Sequence, residues 1–283
     1  KSKIGYNTLI MNRLSLEYFM DAVGSKRSLV SIMHLDIELY IAYLEQRGNN
    51  DTTINIRLRT VKAMMNSYRR IELLNKMPII DQRKTAKKDP IYIADKDFQA
   101  LMQLDQLDEF YKRVFLLYRE TGMRLREPLM ATLDGDWIDI PPETKTKVGR
   151  SIEVSEPIKA VFIELKRWLE TGYGSTLKDP GDHLSKVFKQ HFKLVSVNVN
   201  IHFHSLRHTF AVRKLLMSVP IHDVKLLMGH SSVTTTEQYS NMNLKRVAQD
   251  FPTLVSSYVN GVKIGKRYTD LRYTSALVKG YMA

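Results

Sequence analysis

The 283-residue sequence contains no cysteine, which excludes disulfide bonds, thiol nucleophiles and thiolate metal sites together. No stretch approaches the ~18 consecutive apolar residues of a membrane-spanning helix. Neither a secretory signal nor an internal repeat is visible, and the first residue is Lys1 rather than Met, which suggests a trimmed start. Acidic residues are outnumbered, because 43 Lys and Arg face 30 Asp and Glu, a net charge of +13. This balance favours a cytoplasmic protein that binds a polyanion, usually nucleic acid, and has no membrane partner.

Residues 1–82 are predicted to form a domain of three amphipathic helices. Apolar residues recur at helical spacing from about Thr8 to Gly24, from Leu35 to Gly48 and from Asp51 onward. Residues 1–88 hold 16 Lys and Arg against 8 Asp and Glu, so this part of the chain carries +8 of the net charge. Any one cation could lie on a solvated helix face, but a compact basic domain suits DNA binding. The residues predicted to contact DNA are Arg57, Lys62, Arg69, Lys87 and Lys88.

A basic linker is predicted at residues 83–90. The apolar periodicity stops there, four cations crowd the segment, and Pro90 disfavours helix at Asp89. A plain soluble connection would also fit, but the charge favours a linker that lies along the DNA backbone.

Residues 91–252 are predicted to form a second, α+β domain. Trp137–Ile140 and Arg150–Val154 are short strand-like segments on either side of a polar turn, and they predict a β-hairpin or a three-stranded antiparallel sheet. A short helix is predicted at 124–132, with Leu129 and Met130 facing inward. Capping-box patterns at Thr234 and Thr235 predict another short helix. The remaining predicted helices cover 96–104, 108–120, 155–171, 184–195, 206–217 and 220–228.

One stretch of the second domain concentrates reactive side chains. His204 and Arg207 lie one turn apart if the segment is helical, so both can address one small anionic group. His230 and Tyr239 follow, 23 and 32 residues after Arg207. These residue types suit phosphoryl transfer onto a phenol, because they supply a cation for phosphate oxygens, a proton acceptor and a nucleophile. Arg124 would add a second permanently charged guanidinium.

The order and spacing of these residues resemble the tyrosine recombinase (phage integrase) family of DNA strand-exchange enzymes. That family carries a first arginine in T-G-x-R-x-x-E, matched at 121–127, and a lysine on a β-hairpin. H-x-x-R-H follows at 204–208, then G-H at 229–230, then a tyrosine nine residues after that last histidine, matched by Tyr239. The resemblance covers residues 90–250 closely and the N-terminal part in general character. It implies a mainly α fold with one small antiparallel β-sheet: an N-terminal helical core-binding domain and an α+β catalytic domain of the tyrosine recombinase type.

The resemblance also implies the chemistry. Tyr239 would attack a scissile phosphate to give a 3′-phosphotyrosine, and His204 would accept the phenolic proton. The hairpin lysine would protonate the leaving 5′ oxygen; Lys145 is the first choice and Lys147 the alternative. Because the covalent link conserves the phosphodiester energy, neither ATP nor a metal is expected. The implied catalytic residues are Arg124, Lys145, His204, Arg207, His230 and Tyr239, with Glu127 as a buried partner that orients an arginine and His208 as a structural histidine.

Partners and alternatives complete the expectations. The resemblance implies double-stranded DNA with a specific recombination site and a homotetramer on that DNA, in the simple two-domain type without an arm-binding domain. Residues 253–283 form an apolar tail that either covers its own domain or is exchanged between protomers. A Xer-type chromosome-dimer resolvase and a non-catalytic basic DNA-binding protein remain alternatives, and a 3′-linking tyrosine topoisomerase shares the chemistry but not these spacings. Zinc at His204 and His208 is disfavoured, because Arg207 lies between them and would repel the ion.

Overall fold

A computed structural model describes residues 5–86, 89–142, 149–230, 238–239, 242–255, 258–259 and 262–263. The chain divides into two compact units, Lys1–Lys87 and Lys88–Ala283. In the described part of the chain, no helix is long and apolar enough to cross a membrane.

The N-terminal unit contains the three predicted helices, α1 (Tyr6–Val23), α2 (His34–Gln46) and α3 (Asp51–Arg70). The start of α3 follows from its sequence, since the Asn50 side chain accepts a hydrogen bond from the Thr53 backbone N–H (2.9 Å). A 3-10 turn, Leu29–Ser31, lies between α1 and α2. The helices enclose one hydrophobic core, which includes Phe19, Ile37, Tyr40, Leu44, Ile54, Leu58, Val61 and Met65.

Arg57 does not lie where a DNA contact requires it. The side chain was predicted to contact DNA, but it is buried in α3, with 6% of its surface exposed, and its guanidinium lies over the Tyr18 ring (4.6 Å). It lies three residues after Ile54 and four before Val61, both buried, so it is on the face of α3 that packs inside the unit. A cation–π contact of this kind anchors the guanidinium internally. Lys62 and Arg69 are exposed, as their predicted role requires, and Lys62 Nζ donates to the Ile80 carbonyl (3.1 Å).

Helices make up most of the second unit. Those described are α4 (Asp95–Met102), α5 (Glu109–Thr121), α6 (Glu156–Glu170), α7 (Pro180–Val195), α8 (His204–Leu216), α9 (Ile221–Met228), α10 (Leu244–Ala248) and α11 (Pro252–Val255). One buried apolar cluster contains residues of the four helices α4, α5, α6 and α7, of the three-stranded sheet and of the start of α8. A second cluster joins the rest of α8 to α9, α10 and Tyr239. Helix α8 therefore runs through both cores, which fixes the direction of its side chains.

The predicted antiparallel sheet is confirmed and has three strands in the order β1 (Thr132–Asp134), β2 (Trp137–Ile140) and β3 (Arg150–Glu153). Ile138 pairs with Ile152 and Ile140 pairs with Arg150. Paired residues share a face of a sheet, so Arg150 lies on the face whose isoleucines are buried. A separate antiparallel pair consists of β4 (Tyr258–Val259) and β5 (Val262–Lys263).

The predicted helix at 124–132 is wrong. A 3-10 turn, Glu127–Leu129, is separated from β1 by two residues, and both Leu129 and Met130 are 43% exposed. The Glu127 carboxylate accepts a hydrogen bond from the Arg124 backbone N–H (2.7 Å), and Pro128 follows it. The side chain that caps this turn is also committed to arginine partners, so the segment folds around those contacts rather than around apolar periodicity. The short helix predicted from Thr234 falls outside the described residues.

Candidate active site

Helix α5 ends at a glycine that brings its last carbonyl groups to one of the candidate arginines. Gly122 has φ +63°, in the left-handed region, and its N–H closes the helix on the Tyr118 carbonyl (3.0 Å). A Cβ at this position would lie 2.5 Å from the Phe210 ring, so only glycine fits. The Gly122 carbonyl accepts a hydrogen bond from Arg207 Nη1 (2.6 Å).

Helix α9 ends in the same way on the other side of the site. Gly229 has φ +59°, and its carbonyl accepts from Arg124 Nη2 (3.1 Å). The carbonyl of Met228 accepts from Arg207 Nη2. The candidate arginines thus bind the C-terminal carbonyls of two helices, where the helix dipole favours a positive charge. The glycines of the T-G-x-R and G-H patterns are explained by this geometry.

Glu127 joins Arg124 to a further arginine. Its Oε1 accepts from Arg124 Nη1 (2.6 Å), which confirms the expectation that Glu127 orients an arginine. Arg150, on β3, donates to the same carboxylate from Nη1 (3.0 Å) and Nη2 (2.7 Å). The side chains of Glu127 and Arg150 are 3% and 5% exposed, whereas that of Arg124 is 20% exposed. Arg124 is therefore the member of this group that faces solvent.

The group carries excess positive charge. Arg124, Arg150 and Arg207 set three positive charges against the single negative charge of Glu127. Burial alone would raise the pKa of Glu127, but its hydrogen bonds and ion pair with Arg150 hold that pKa below its ordinary value. Burial, together with the charges of Arg124 and Arg150, lowers the pKa of Arg207 to about 9. A buried site with a net charge of +2 is suited to an anion.

Tyr239 contacts a histidine that the sequence had assigned a structural role. Nδ1 of His208 lies 2.7 Å from the Tyr239 hydroxyl oxygen, and Tyr239 is 1% exposed within the second apolar cluster. His204, expected to be the partner of the tyrosine, lies one turn earlier on α8 and contacts the His208 ring edge to face (4.9 Å between centroids). His208 is thus the histidine in hydrogen-bond contact with Tyr239, a contact that its expected structural role did not include.

The histidines of the site are neutral at pH 7. Burial and neighbouring groups lower the pKa of His208 to about 3. Burial and the charge of Arg207 lower that of His230 to about 3. The His204 ring is open to solvent on one side. Its burial on the other side, together with the charge of Arg207, lowers the pKa of His204 to about 4. Burial raises the pKa of Tyr239 against the opposing effect of Arg207. The phenol keeps its proton, and a neutral imidazole is available to accept it.

Five of the six predicted catalytic residues belong to one connected group. Arg124 and Arg207 meet at Met228–Gly229, and His230 follows directly. Arg207 is next to His208 in α8, and the His208 ring contacts both His204 and Tyr239. The sixth, Lys145, lies outside the described residues, as do Lys147 and the predicted DNA contacts Lys87 and Lys88. Within the described ranges, no three His, Cys, Asp or Glu side chains are grouped as metal ligands would be.

Sequence reasoning missed the participation of Arg150. A signal was available, because Arg150, Ile152 and Val154 alternate along one strand and an arginine at an apolar-face position needs a buried partner. The identity of that partner, Glu127, depends on how the strand packs.

Comparisons with known proteins bear on the sequence and the fold of the chain. The model of the phage integrase family matches residues 92–246. The chain is 24% identical over 273 residues to tyrosine recombinase XerC of Pediococcus pentosaceus, covering 84% of this chain and 87% of the relative. Its fold is similar to the Tn1549 transposon integrase bound to transposon right end DNA (TM-score 0.69, 16% identity, covering 90% of this chain and 96% of the other). It is also similar to a lambda integrase tetramer bound to a Holliday junction (TM-score 0.66, 17% identity, 84% and 73%).

Proposed function

The chain belongs to the phage integrase family of tyrosine recombinases, and from this premise we propose how it cuts and rejoins DNA. It is a site-specific recombinase, an enzyme that acts on DNA. In our assignment Tyr239 is the nucleophile, and the covalent intermediate is a 3′-phosphotyrosine with a free 5′-hydroxyl on the other DNA end.

The observation that carries this assignment is that a cluster of positively charged side chains lies beside a buried tyrosine. Arg124 and Arg207 are held by helix-end carbonyls beside His230, and Arg207 adjoins the histidine that contacts Tyr239. Guanidinium groups match phosphate oxygens and stabilise the charge that builds on a pentacoordinate phosphorus during attack. His230 donates to a non-bridging oxygen in this scheme.

Proton transfer completes the reaction. The Tyr239 hydroxyl lies 2.7 Å from Nδ1 of His208, and in the His208 tautomer with its proton on Nε2 the phenol donates to Nδ1. In our assignment His208 is therefore placed to accept the proton, with His204 next to it as a second acceptor. Because Tyr239 is 1% exposed, the site has to open before a phosphate can reach its hydroxyl. Lys145 is assigned, from the resemblance, to protonation of the leaving 5′ oxygen.

A suicide substrate tests the assignment. The substrate is a DNA duplex carrying the recombination site with a nick next to the cleavage position, so that a short fragment is lost and the covalent complex persists. We expect the wild-type chain to form an adduct stable to denaturant, and Tyr239→Phe to form none while its DNA affinity stays nearly unchanged. One hydroxyl contributes little beside the phosphate contacts that dominate binding.

Two outcomes would contradict the assignment. An adduct formed by Tyr239→Phe would place the nucleophile at another tyrosine. A wild-type chain that shifts the DNA but never forms an adduct would favour the alternative of a non-catalytic DNA-binding protein. Tyr173, an exposed tyrosine on the turn after α6, serves as the matched control, and Tyr173→Phe should behave as wild type.

We further propose that the working form is a homotetramer on two DNA duplexes. Strand exchange needs four strands to be cut, which requires four nucleophiles if each copy supplies one. The similar fold of a lambda integrase tetramer bound to a Holliday junction supports this proposal.

A Xer-type resolvase is the second candidate for the biological role. The similarity to tyrosine recombinase XerC over most of both chains favours it. Selecting the sequences that the protein binds from a random DNA pool separates the two biological roles. A Xer-type role predicts that the selected sequence occurs on the host chromosome, and an integrase role predicts that it occurs at the end of a mobile element.

A further inference from the structure

Both terminal nitrogens of Arg150 donate hydrogen bonds to one buried carboxylate. Nη1 and Nη2 donate to the two oxygens of Glu127, and the Arg150 side chain is 5% exposed. Its Nε is buried without an acceptor among the described residues. The end of the side chain packs against Gly229, where an added Cβ would lie 2.8 Å from Nη1. Arg150 is therefore enclosed behind the residues that face the proposed phosphate site.

Glu127 has a conflicting effect on Arg124. It fixes the arginine through two hydrogen bonds, one from the backbone N–H and one from Nη1, at 2.7 and 2.6 Å. A carboxylate this close also cancels the positive charge that Arg124 presents to a phosphate. Glu127 and Arg124 alone sum to zero charge, whereas Glu127 with Arg124 and Arg150 sums to +1.

We propose that Arg150 is a positioning residue for strand cleavage, which neutralises Glu127 so that Glu127 can orient Arg124 without removing its charge from the scissile phosphate. The inference rests on the proposed function. Arg150 acts through Glu127 and Arg124 and does not touch DNA, since both of its terminal nitrogens are occupied and its side chain is enclosed.

A double-mutant cycle on Arg150 and Glu127 tests the proposal. The measurement is the single-turnover rate of adduct formation on the suicide substrate at saturating enzyme, with DNA affinity measured separately. We expect Arg150→Gln to slow cleavage about 100-fold, because an uncompensated carboxylate then faces the phosphate. Glu127→Gln loses part of the orientation and slows it about 10-fold.

The double variant decides between an electrostatic and a structural role. Neutralising the carboxylate removes the need for Arg150, so Glu127→Gln/Arg150→Gln should cleave at about the rate of Glu127→Gln, roughly 10-fold faster than Arg150→Gln alone. DNA affinity should stay within about threefold in all three variants, since Arg150 does not touch DNA. Arg150→Lys keeps the charge and loses the two-pronged contact, so its rate should lie between those of wild type and Arg150→Gln.

Three results would overturn the proposal. They are a double variant no faster than Arg150→Gln, an Arg150→Gln variant as fast as wild type, and a double variant much slower than Glu127→Gln. The last comparison needs no Arg150→Gln data and decides the matter even if that variant fails to fold.

Controls separate this inference from the proposed function. Arg113 and Glu164 form a similar two-pronged ion pair between α5 and α6, with hydrogen bonds of 3.1 and 2.7 Å, but on the surface. Arg113→Gln and Arg113→Gln/Glu164→Gln should cleave as wild type. If the wild-type chain itself forms no Tyr239-dependent adduct, the proposed function fails. If it does and the cycle is additive, only the role of Arg150 fails.

Discussion

Single side chains set the protonation state of Tyr239, the proposed nucleophile, and its contact with His208 is central to the proposed reaction. Burial raises the pKa of the phenol and lowers that of the imidazole, so both groups are neutral before DNA arrives. In the proposed reaction a phosphate binds between the cations of the site and cancels part of their charge. The positive charge of Arg207 is one cause of the low pKa of His208, so phosphate binding raises that pKa and makes the imidazole a stronger base. Substrate binding and activation of the nucleophile are coupled through this effect.

The two histidines of α8 should therefore differ in their effect on cleavage. We expect His208→Ala to slow adduct formation about 100-fold, in the range of a lost general base, and His204→Ala to slow it less. The single-turnover rate on the suicide substrate, measured across pH 6 to 9, distinguishes loss of the base from loss of folding, because only the former changes the shape of the pH profile.

His191→Ala is the matched control for these variants. His191 lies within α7, and its Nδ1 contacts the Val187 carbonyl one turn earlier in the same helix (2.8 Å). A larger loss for His204→Ala than for His208→Ala would instead support the assignment of His204 that the family resemblance implies.

Among the secondary-structure elements, the ends of two helices position the arginines of the site. Helices α5 and α9 both end at left-handed glycines, and their last carbonyls bind Arg207 and Arg124. The arginine positions therefore depend on where two helices stop. A change that moves either helix end also moves an arginine that we propose binds the phosphate.

Gly122→Ala should damage both stability and catalysis. The left-handed backbone costs a non-glycine residue about 1 kcal/mol, and the Cβ placed 2.5 Å from Phe210 adds about 1–3 kcal/mol of overpacking. The displaced carbonyl would also release Arg207 Nη1, so the cleavage rate of the folded fraction should fall. Thermal unfolding and single-turnover cleavage measure the two effects.

Gly135→Ala is the control for backbone strain alone. Gly135 lies in the β1–β2 turn with φ +55° and has nothing within 4 Å of an added Cβ. It should lose about 1 kcal/mol and cleave normally when folded. Equal losses of stability in the two variants would show that the Phe210 contact gives way easily, contrary to our expectation.

Elements with local signals could be predicted from the sequence, and those that depend on tertiary contacts could not. Helix α5 was predicted closely because Asp108 caps its start, accepting from the Phe110 N–H (2.8 Å), and Gly122 ends it. The prediction for the 124–132 segment is wrong because the Glu127 side chain bonds to Arg150, which lies outside the segment, as well as to Arg124. The contact of Arg150 with Glu127 spans 23 residues and follows from the packing of the sheet. The pairing of His208 with Tyr239 likewise depends on a chain segment 31 residues away.

Charge is unevenly distributed over the whole molecule. Residues 1–88 carry 16 Lys and Arg against 8 Asp and Glu, more than half of the chain's net charge of +13. Lys62 and Arg69 are exposed cations of this unit, whereas Arg57 is internal. DNA binding should therefore depend on exposed cations of the N-terminal unit and on the basic segment that follows it.

Removing Lys87 and Lys88 together should weaken the salt dependence of DNA binding. Each phosphate contact contributes about 0.9 to the slope of log affinity against log salt concentration. The double change to Gln should lower the magnitude of that slope by about 1 to 2, without altering the choice of DNA sequence, because phosphate contacts carry no base readout. Titrations on specific and random DNA at several salt concentrations measure both effects.

A charge-matched control tests whether this effect is local. Lys178→Gln/Lys186→Gln removes two exposed lysines before and within α7, one of them paired with Asp182 (2.8 Å). Its slope should stay near the wild-type value. An unchanged slope for Lys87→Gln/Lys88→Gln would show that the linker does not contact DNA. Equal changes of the slope in both double variants would show that the effect comes from net charge alone.

The tail is the part of the chain that could link single copies into the proposed assembly, if it inserts into a neighbour rather than covering its own domain. Leu254 of α11 packs against the apolar cluster that contains Tyr239, so the chain up to this helix belongs to its own domain. The remaining predicted apolar strip, which includes Tyr258, Val262 and Ile264, starts about 20 residues after the proposed nucleophile.

Truncation after Val255 keeps the Leu254 contact and removes that strip. If the tail inserts into a neighbouring protomer, the truncated chain should melt at the wild-type temperature and bind a single site normally, but should fail to form tetramers on paired sites. Sedimentation of protein–DNA complexes measures the assembly, and truncation after Thr253, which also removes Leu254, should lower the melting temperature. A Val255 truncation that still assembles, or one that unfolds, would instead assign the tail a dispensable role or a place in its own core.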